Sequence, residues 1–357
     1  MCAVSDDSQL GVGIVGSGAM ARVYAETVAT YQTGMGLSAV FGGRRAPALG
    51  QHYSVAVESS MDSLLARPDV DAVLIATPHS SHRDLTVQAV NAGCHVLVEK
   101  PMAISADDCD AMIEAAACQG TTLSVIKTFR FRRTYLRAKQ ALDRGEIGRV
   151  TMLRLSGLTP GYDTPEKGWL DDPAEGGVFL DWGSHACDLI RAVGGADPGV
   201  IFASFANYRI PLPPAMSGMV HVELTNGVLA QLWMSFELPE PGIESNGRLV
   251  IVGETGVIDL DLYGELRIGD RSGWRTLDRY FGGSAAANPF HPERLDGCAA
   301  QLRDFAESVR AGRPPSVSAE DGRWAVAMVE AAYRSWRTGQ AVQFAARPRP
   351  GIPLEGG

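Results

Sequence analysis

The chain has 357 residues, of which 45% are hydrophobic and 20% are charged, a composition that excludes disordered, collagen-like and coiled-coil proteins. At about 150 residues per domain, this length predicts two domains. The 32 basic and 41 acidic residues give a net charge of −9, which repels nucleic acid and anionic membrane surfaces. We therefore expect neither as a partner.

Apolar runs in the sequence are too short to span a bilayer, and the polar, acidic N-terminus lacks a signal-peptide pattern. A cytoplasmic location is therefore expected. The cysteines are scattered without a CxxC pair, which predicts buried reduced thiols and no disulfide framework or metal site. They are Cys2, Cys94, Cys109, Cys118, Cys187 and Cys298.

The first part of the chain alternates short apolar runs with helix-like segments. The predicted strands are 12–15, 37–41, 72–76, 95–98 and 122–126, and the predicted helices are 19–30, 61–66, 82–92 and 106–119. Strands that are apolar throughout and separated by helices are typical of a parallel sheet covered on both faces. We predict an α/β domain with a doubly wound parallel sheet over residues 1–128.

The pattern changes after residue 128. A basic helix is predicted over 134–144, followed by strands at 150–155, 220–224, 228–236, 249–253 and 256–260, and the turns at 225–227 and 253–256 indicate hairpins. Long loops are expected over 209–218 and 269–292, and a last helix over 319–338, ending at Gly339. We predict a second, α+β domain over 129–357 with a mostly antiparallel open sheet.

Two overlapping glycine patterns follow the first strand. The frame from Gly11 to Gly16 would place the tight turn inside that strand, so we reject it. The frame from Gly16 to Ala21, with Gly18 at its centre, puts the strand before the turn and the helix after it, as dinucleotide binding requires. We expect Gly16, Gly18, Ala19 and Met20 to contact the pyrophosphate at the helix N-terminus.

The end of the second strand indicates which dinucleotide is bound. NAD-binding proteins carry an acidic residue there for the ribose 2′-hydroxyl, whereas this chain has Arg44 and Arg45. Arginine binds phosphate in a bidentate manner, so the sequence favours NADP(H), with NAD(H) as the alternative. The usual role of NADPH as a reductant favours the reductive direction.

Further motifs occur in an order that resembles the Gfo/Idh/MocA oxidoreductases across nearly the whole chain. A TPxxxH pattern starts at Thr77, an EKP pattern at Glu99, and a pattern similar to GGGxxxDxGxHxxD at Glu175. The first glycine of that last motif is replaced by Glu175. A segment with Arg130 and Phe131 also matches the family.

The resemblance implies a Rossmann domain, a second domain whose open sheet makes dimer or tetramer contacts, and a nicotinamide in the cleft between them. It assigns catalysis to Lys100, Asp181 and His185. It also places several residues at the cofactor, namely Thr77, Pro78, His82, Glu99 and Lys100.

The physical chemistry of these side chains agrees with the resemblance. Asp181 and His185 share one helix face at a spacing of four residues. A histidine titrates near neutral pH, so His185 is the expected general acid or base, with Asp181 binding a substrate hydroxyl or orienting the ring. We expect partial burial and the oxidised nicotinamide to lower the pKa of Lys100, which would stabilise an alkoxide or relay a proton.

Four further residues are weaker candidates for substrate contact, because each has an ordinary packing or surface role as its alternative. They are Arg130, Tyr162, Trp169 and Trp182. His79 and His82 are expected to position loops.

The expected function is hydride transfer between a nicotinamide and a secondary alcohol or ketone of a sugar, cyclitol or sugar derivative. The alternatives are a cofactor-binding regulator without turnover and an NAD-dependent glycoside hydrolase of the same fold. The complete set of Lys100, Asp181 and His185 disfavours the regulator.

Overall fold

The computed structural model describes residues 9–160, 172–208, 216–243, 247–279 and 288–344. Its first half is a six-stranded sheet in the order β3-β2-β1-β4-β5-β6, and all the paired strands are parallel. The strands are β1 (Leu10–Val15), β2 (Met35–Phe41), β3 (Ala56–Glu58), β4 (Ala72–Ile75), β5 (His95–Val98) and β6 (Leu123–Val125). The predicted doubly wound parallel sheet is confirmed.

Helices connect these strands. They are α1 (Ala19–Thr30), α2 (Ala46–Tyr53), α3 (Met61–Leu65), α4 (His82–Asn91) and α5 (Ala106–Gln119). Helix α2 and strand β3 were not expected, because α2 has only eight residues with a proline and a glycine among them, and β3 has only three. Both lie at one edge of the sheet, beside β2.

A nine-stranded mixed sheet forms the second half, in the order β14-β13-β12-β11-β7-β10-β9-β8-β15. Its strands are β7 (Val150–Pro160), β8 (Pro198–Ala206), β9 (Ser217–Leu224), β10 (Leu229–Leu238), β11 (Gly247–Gly253), β12 (Val257–Asp261), β13 (Glu265–Asp270), β14 (Gly273–Arg279) and β15 (Val342–Gln343). Only β7 and β10 pair in parallel among the described strands of this second sheet. The expected mostly antiparallel sheet and both hairpin turns are confirmed.

Four helices belong to this half of the chain: α6 (Arg133–Asp143), α7 (Gly177–Gly194), α8 (Pro292–Ala311) and α9 (Ala319–Thr338). Helices α7 and α9 pack on each other and share a hydrophobic core with one face of the large sheet. Helix α8 instead crosses to the first sheet, where Leu295, Leu302 and Phe305 join the core that contains α1. The division of the chain at residue 128 stays a prediction.

Several local predictions were wrong. The loop expected over 269–292 contains β14, and neither β8 nor α8 was predicted. Most of the loop expected over 209–218 lies outside the described residues, although β9 already begins at Ser217. Cys118 is exposed, whereas the other described cysteines are buried. No helix in the described ranges is both long and apolar enough to cross a membrane.

Candidate active site

The glycine turn after β1 is built for a close approach of backbone and ligand. Gly16 has φ +110, and a Cβ there would lie 2.2 Å from the carbonyl oxygen of Ala76. Gly18 is the N-cap of α1 and provides no side-chain cap hydrogen bond. A Cβ on it would meet nothing within 4 Å. The structure confirms that the rejected frame lies in a strand, because Gly11 and Gly13 belong to β1 and pair with residues of β2.

These features fit a bound dinucleotide phosphate. The first turn of α1 has no acidic side chain to offset the positive end of the helix dipole, and there is open space beside its N-cap, Gly18. Ala19 and Met20 begin this helix, and the sulfur of Met20 lies 4.0 Å from a guanidinium nitrogen of Arg294. The predicted phosphate residues therefore meet at one open helix end.

A pocket of about 490 Å³ opens beside this turn, between α1 and α2. Ser17, Arg22, Glu26, Arg45 and His52 supply its polar wall, with Tyr53 and Phe290 among the aromatic side chains. The backbone N–H of Arg45 donates to Ser17 Oγ over 3.2 Å, which fixes the start of α2 against the glycine turn. Arg44 is exposed and is not a lining residue, whereas Arg22, which the sequence reasoning missed, is one.

The loop after β4 carries Thr77, Pro78 and His82 to the same edge of the sheet. The buried ring of His82 contacts two carbonyl oxygens, those of Pro101 (2.9 Å) and Thr77 (3.0 Å). Burial lowers the pKa of His82, so the ring is neutral and donates to one of them at a time. His82 thereby ties the Thr77 loop to the Lys100 loop.

Lys100 follows β5 and meets α7 across the cleft. Its Nζ contacts the Oδ1 atom of Asp181 and lies 3.4 Å from the Asp181 carbonyl oxygen. Burial alone would lower the pKa of Lys100, but the carboxylates of Asp181 and Glu99 outweigh it and hold this pKa above its usual value. In the protein without cofactor the pKa of Lys100 is therefore raised and Lys100 is an ammonium ion at neutral pH, whereas the effect of the oxidised nicotinamide on this pKa stays a prediction.

Glu99 fixes the backbone of Lys100 by a hydrogen bond. Its buried carboxylate accepts hydrogen bonds from the hydroxyl of Tyr24 and from the backbone N–H of Lys100 at 2.8 Å. Tyr24 lies on the buried face of α1, 75 residues earlier in the chain, and nothing in the sequence marks it as more than a core residue. Glu99 thus positions Lys100, and Tyr24 positions Glu99.

Helix α7 presents Asp181 and His185 as predicted. The His185 ring packs edge-on against Phe129, with ring centroids 4.9 Å apart. Burial lowers the pKa of His185 well below its usual value, and the positive charges of Lys100, Lys127, Arg132 and Arg294 lower it further. His185 is therefore a neutral imidazole that can accept a proton.

A second histidine, His79, lies on the other side of Asp181. Its Nε2 is 3.9 Å from Asp181 Oδ1, and its Nδ1 donates to the carbonyl oxygen of Glu175 over 2.9 Å. The Glu175 carboxylate, also buried, accepts from the backbone N–H (3.1 Å) and the hydroxyl (2.5 Å) of Ser80. Glu175 therefore joins the Thr77 loop to the start of α7, although its sequence position, a glycine in the family pattern, gave no sign of this role.

The two weaker candidates within the described residues, Arg130 and Trp182, make other contacts. The guanidinium of Arg130 lies 3.4 Å from Asp188 Oδ1 and 3.0 Å from Asp321 Oδ2, so it forms ion pairs between α7 and the start of α9. Trp182 packs on β7 at Gly157, where a Cβ would come within 2.1 Å of the indole. Tyr162 and Trp169 lie outside the described residues.

Comparisons with known proteins agree with this geometry. Residues 10–127 match the family described as "Oxidoreductase family, NAD-binding Rossmann fold", and residues 135–259 match the "GFO/IDH/MocA C-terminal domain". The 1,5-anhydro-D-fructose reductase of Ensifer adhaerens is 30% identical over 292 residues, which cover 80% of this chain and 83% of the relative.

Two further similarities extend over almost the full length. The myo-inositol 2-dehydrogenase of Thermotoga maritima is 26% identical over 356 residues, 93% of this chain and 98% of the relative. The crystal structure of GenD2 from gentamicin A biosynthesis, solved in complex with NAD, superposes with a TM-score of 0.80 at 27% identity and covers 95% of this chain and 97% of its own. The chain therefore belongs to the Gfo/Idh/MocA family of NAD(P)-binding oxidoreductases.

Proposed function

We propose that this protein is an NADP-preferring dehydrogenase or reductase that transfers a hydride between the nicotinamide and a secondary alcohol or ketone of a sugar, cyclitol or sugar derivative. The observation that carries the proposal is the contact between Lys100 and Asp181 across the cleft, with neutral His185 one turn further along α7. The bound cofactor would accept or supply the hydride at nicotinamide C4.

The protein's own residues have separate tasks in this reaction. The Lys100 ammonium donates a hydrogen bond to the substrate oxygen and stabilises the negative charge that develops on it as the hydroxyl proton is removed. The His185 imidazole takes the hydroxyl proton in alcohol oxidation and returns it in ketone reduction. Asp181 holds Lys100 in place and offers a carboxylate oxygen to a neighbouring hydroxyl, which suits a polyol.

The proton chemistry bears on the direction of the assay. At neutral pH the lowered pKa leaves His185 as the neutral base, the protonation state that alcohol oxidation needs, although the same cations make it a weaker base. NADPH usually serves reduction, but the neutral form of His185 is the form that oxidation of the alcohol requires. Turnover should therefore be sought first with oxidised cofactor and a polyol.

The test has two stages. Calorimetric titration with NAD, NADH, NADP and NADPH measures binding, and a panel of cyclitols and sugars, read at the nicotinamide absorbance, measures turnover. We expect binding with polyol-dependent turnover, and a loss of roughly 100-fold or more in kcat for His185→Ala with little change in cofactor affinity. The exposed His221 on β9 provides the control His221→Ala. Binding without turnover across the panel would favour the regulator instead.

The NADP preference rests on the pocket between α1 and α2. We propose that Arg45 and Arg22 bind the adenosine 2′-phosphate there, since both line the pocket. Each substitution, Arg22→Ala or Arg45→Ala, should raise the Kd for NADP roughly tenfold or more and change the Kd for NAD little. Arg44→Ala is the matched control outside the lining. Equal weakening of both cofactors would refute the assignment.

We also propose a homo-oligomer, a dimer or tetramer, formed through the open face of the large sheet and located in the cytoplasm. Met152, Met219, Phe202 and Leu229 are exposed on β7 to β10, an unusual density of large apolar side chains on a protein surface. Light scattering after size-exclusion chromatography should give a multiple of 38.0 kDa. Met219→Glu should shift the mass towards that of a single chain.

A further inference from the structure

Lys127 is a buried amine for which the proposed reaction has no task. It directly follows β6 and precedes the short helical turn at Thr128–Phe131, and only 1% of its surface is exposed. Its Nζ donates to the carbonyl oxygen of Ser184 over 2.6 Å. Ser184 is the residue before His185, so the amine is fixed to the turn of α7 that carries the base.

A buried ammonium needs a counter-charge, and the structure supplies one. Asp188 lies one turn beyond Ser184 on α7, is itself buried, and attracts Lys127 electrostatically. Burial raises the pKa of Asp188, whereas Lys127 and Arg130, whose guanidinium lies 3.4 Å from Asp188 Oδ1, oppose this shift and favour the ionised carboxylate. Burial lowers the pKa of Lys127, but the ionised Asp188 opposes this shift and favours the charged amine.

His185 meets charged groups from every element packed around it. Lys100 follows β5, Lys127 follows β6, Arg132 precedes α6 and Arg294 lies on α8, while α7 itself contributes Asp181 and Asp188. Lys100 contacts Asp181, and Arg132 lies over the Phe129 ring and donates to the Leu262 carbonyl oxygen over 2.6 Å. Lys127 donates a hydrogen bond to the backbone carbonyl of Ser184, the residue next to His185.

We propose that Lys127 is a positioning residue for proton transfer: the hydrogen bond from its Nζ to the Ser184 carbonyl oxygen fixes the turn of α7 that carries His185 and holds the amine beside the backbone of this base. This inference rests on the proposed role of His185 as the base. It assigns to Lys127 an electrostatic effect that a purely structural lysine would not have.

The direct test is the titration of His185 in the protein without cofactor. Histidine labelled with ¹³C in the ring gives one signal per residue, and the His185 signal is the one that His185→Ala removes. Lys127→Met deletes the charge at similar volume, whereas Lys127→Gln deletes the charge but keeps a donor for the Ser184 carbonyl. Lys139→Met, on the exposed surface of α6, is the control.

We expect the pKa of His185 to rise by about one unit in both Lys127 variants and to stay unchanged in Lys139→Met, because a like charge at close range shifts a pKa by about this much. The pKa of the acidic limb in the pH profile of kcat/KM for alcohol oxidation should rise by the same amount. At pH values below that limb, kcat/KM should therefore fall about tenfold. An unchanged His185 titration in a folded Lys127 variant would overturn the proposal. The second variant guards against misfolding of the first.

Failure of the proposed function would look different. If His185→Ala kept full turnover, His185 would not be the base, whereas the His185 titration would still report the charge of Lys127. A lower kcat in the Lys127 variants without any shift of the pH profile or of the titration would show a packing role alone and refute the inference.

Discussion

Replacing His79 with asparagine should remove part of the protein's sensitivity to acid. The His79 ring is 3% exposed, and its Nδ1 donates to the Glu175 carbonyl oxygen. Asparagine can make the same hydrogen bond through its side-chain N–H, but it cannot take up a proton. Burial lowers the pKa of His79 to about 3, Lys100 lowers it as well, and Asp181 opposes the shift.

The size of the effect follows from the two protonation equilibria. Histidine in the unfolded chain has a pKa of about 6.5. As the pH falls below that value, the unfolded chain binds a proton that folded His79 does not bind until the pH approaches about 3. Stability is therefore lost as the pH drops, and between about pH 7.5 and pH 5 His79 should account for about 2 kcal/mol of this loss.

Urea unfolding of the wild type and His79→Asn at both pH values measures the difference. Burial also lowers the pKa of His82, His95 and His185, so the wild type should lose more than 2 kcal/mol in total, and only the difference between the two proteins reports His79. His221→Asn, at an exposed position, should behave as the wild type. An identical loss of stability in wild type and His79→Asn would refute the reasoning.

Substitutions at four further positions test the supports of the site. Gly16→Ala should lower Tm, because the methyl group would meet the Ala76 carbonyl oxygen at 2.2 Å. Gly18→Ala should leave Tm unchanged but weaken dinucleotide binding, since its methyl group enters the open space at the end of α1. Equal Tm values for the two variants would contradict this. Tyr24→Phe should lower the free energy of unfolding by about 1.5–3 kcal/mol and reduce kcat, since Glu99 loses its hydroxyl partner; unchanged urea midpoint and kcat would show that this hydrogen bond is unimportant. Glu175→Gly should lower the free energy of unfolding in urea by about the same amount, because the contacts with Ser80 are lost, and Glu175→Gln should lower it less. A glycine variant as stable as the wild type would mean that Glu175 does not join the two segments.

The sequence predicted the parts of the fold whose signal is local. The predicted bounds are correct for the helices at 19–30, 106–119 and 319–338 and for the strand at 95–98. Glycine or serine is the N-cap of each of these helices, and the apolar run of the strand is uninterrupted. Strand β14 was missed because it is an exposed edge strand without apolar alternation. Helix α8 did carry a signal, since Leu295, Leu302 and Phe305 follow a helical spacing, but it was not recognised.

Prediction of the site had a different limit. Lys100, Asp181 and His185 could be assigned because they stand in motifs, and the structure brings Lys100 to Asp181. Tyr24 and Lys127 could not, because each acts through a partner far away in the chain: Tyr24 through Glu99 and Lys127 through Ser184. Tertiary packing, rather than any local pattern, turns a core tyrosine and a loop lysine into supports of catalysis.

The packing of α8 against α1 constrains how this protein is synthesised. Residues 10–125 contain every strand of the first sheet, yet its core also includes Leu295, Cys298, Leu302 and Phe305. While the ribosome is still making the second domain, the part of the apolar face of α1 that α8 covers therefore stays exposed. The first domain reaches its final form only when the chain is almost finished, so a truncated protein that stops at the apparent domain boundary would expose a surface prone to aggregation.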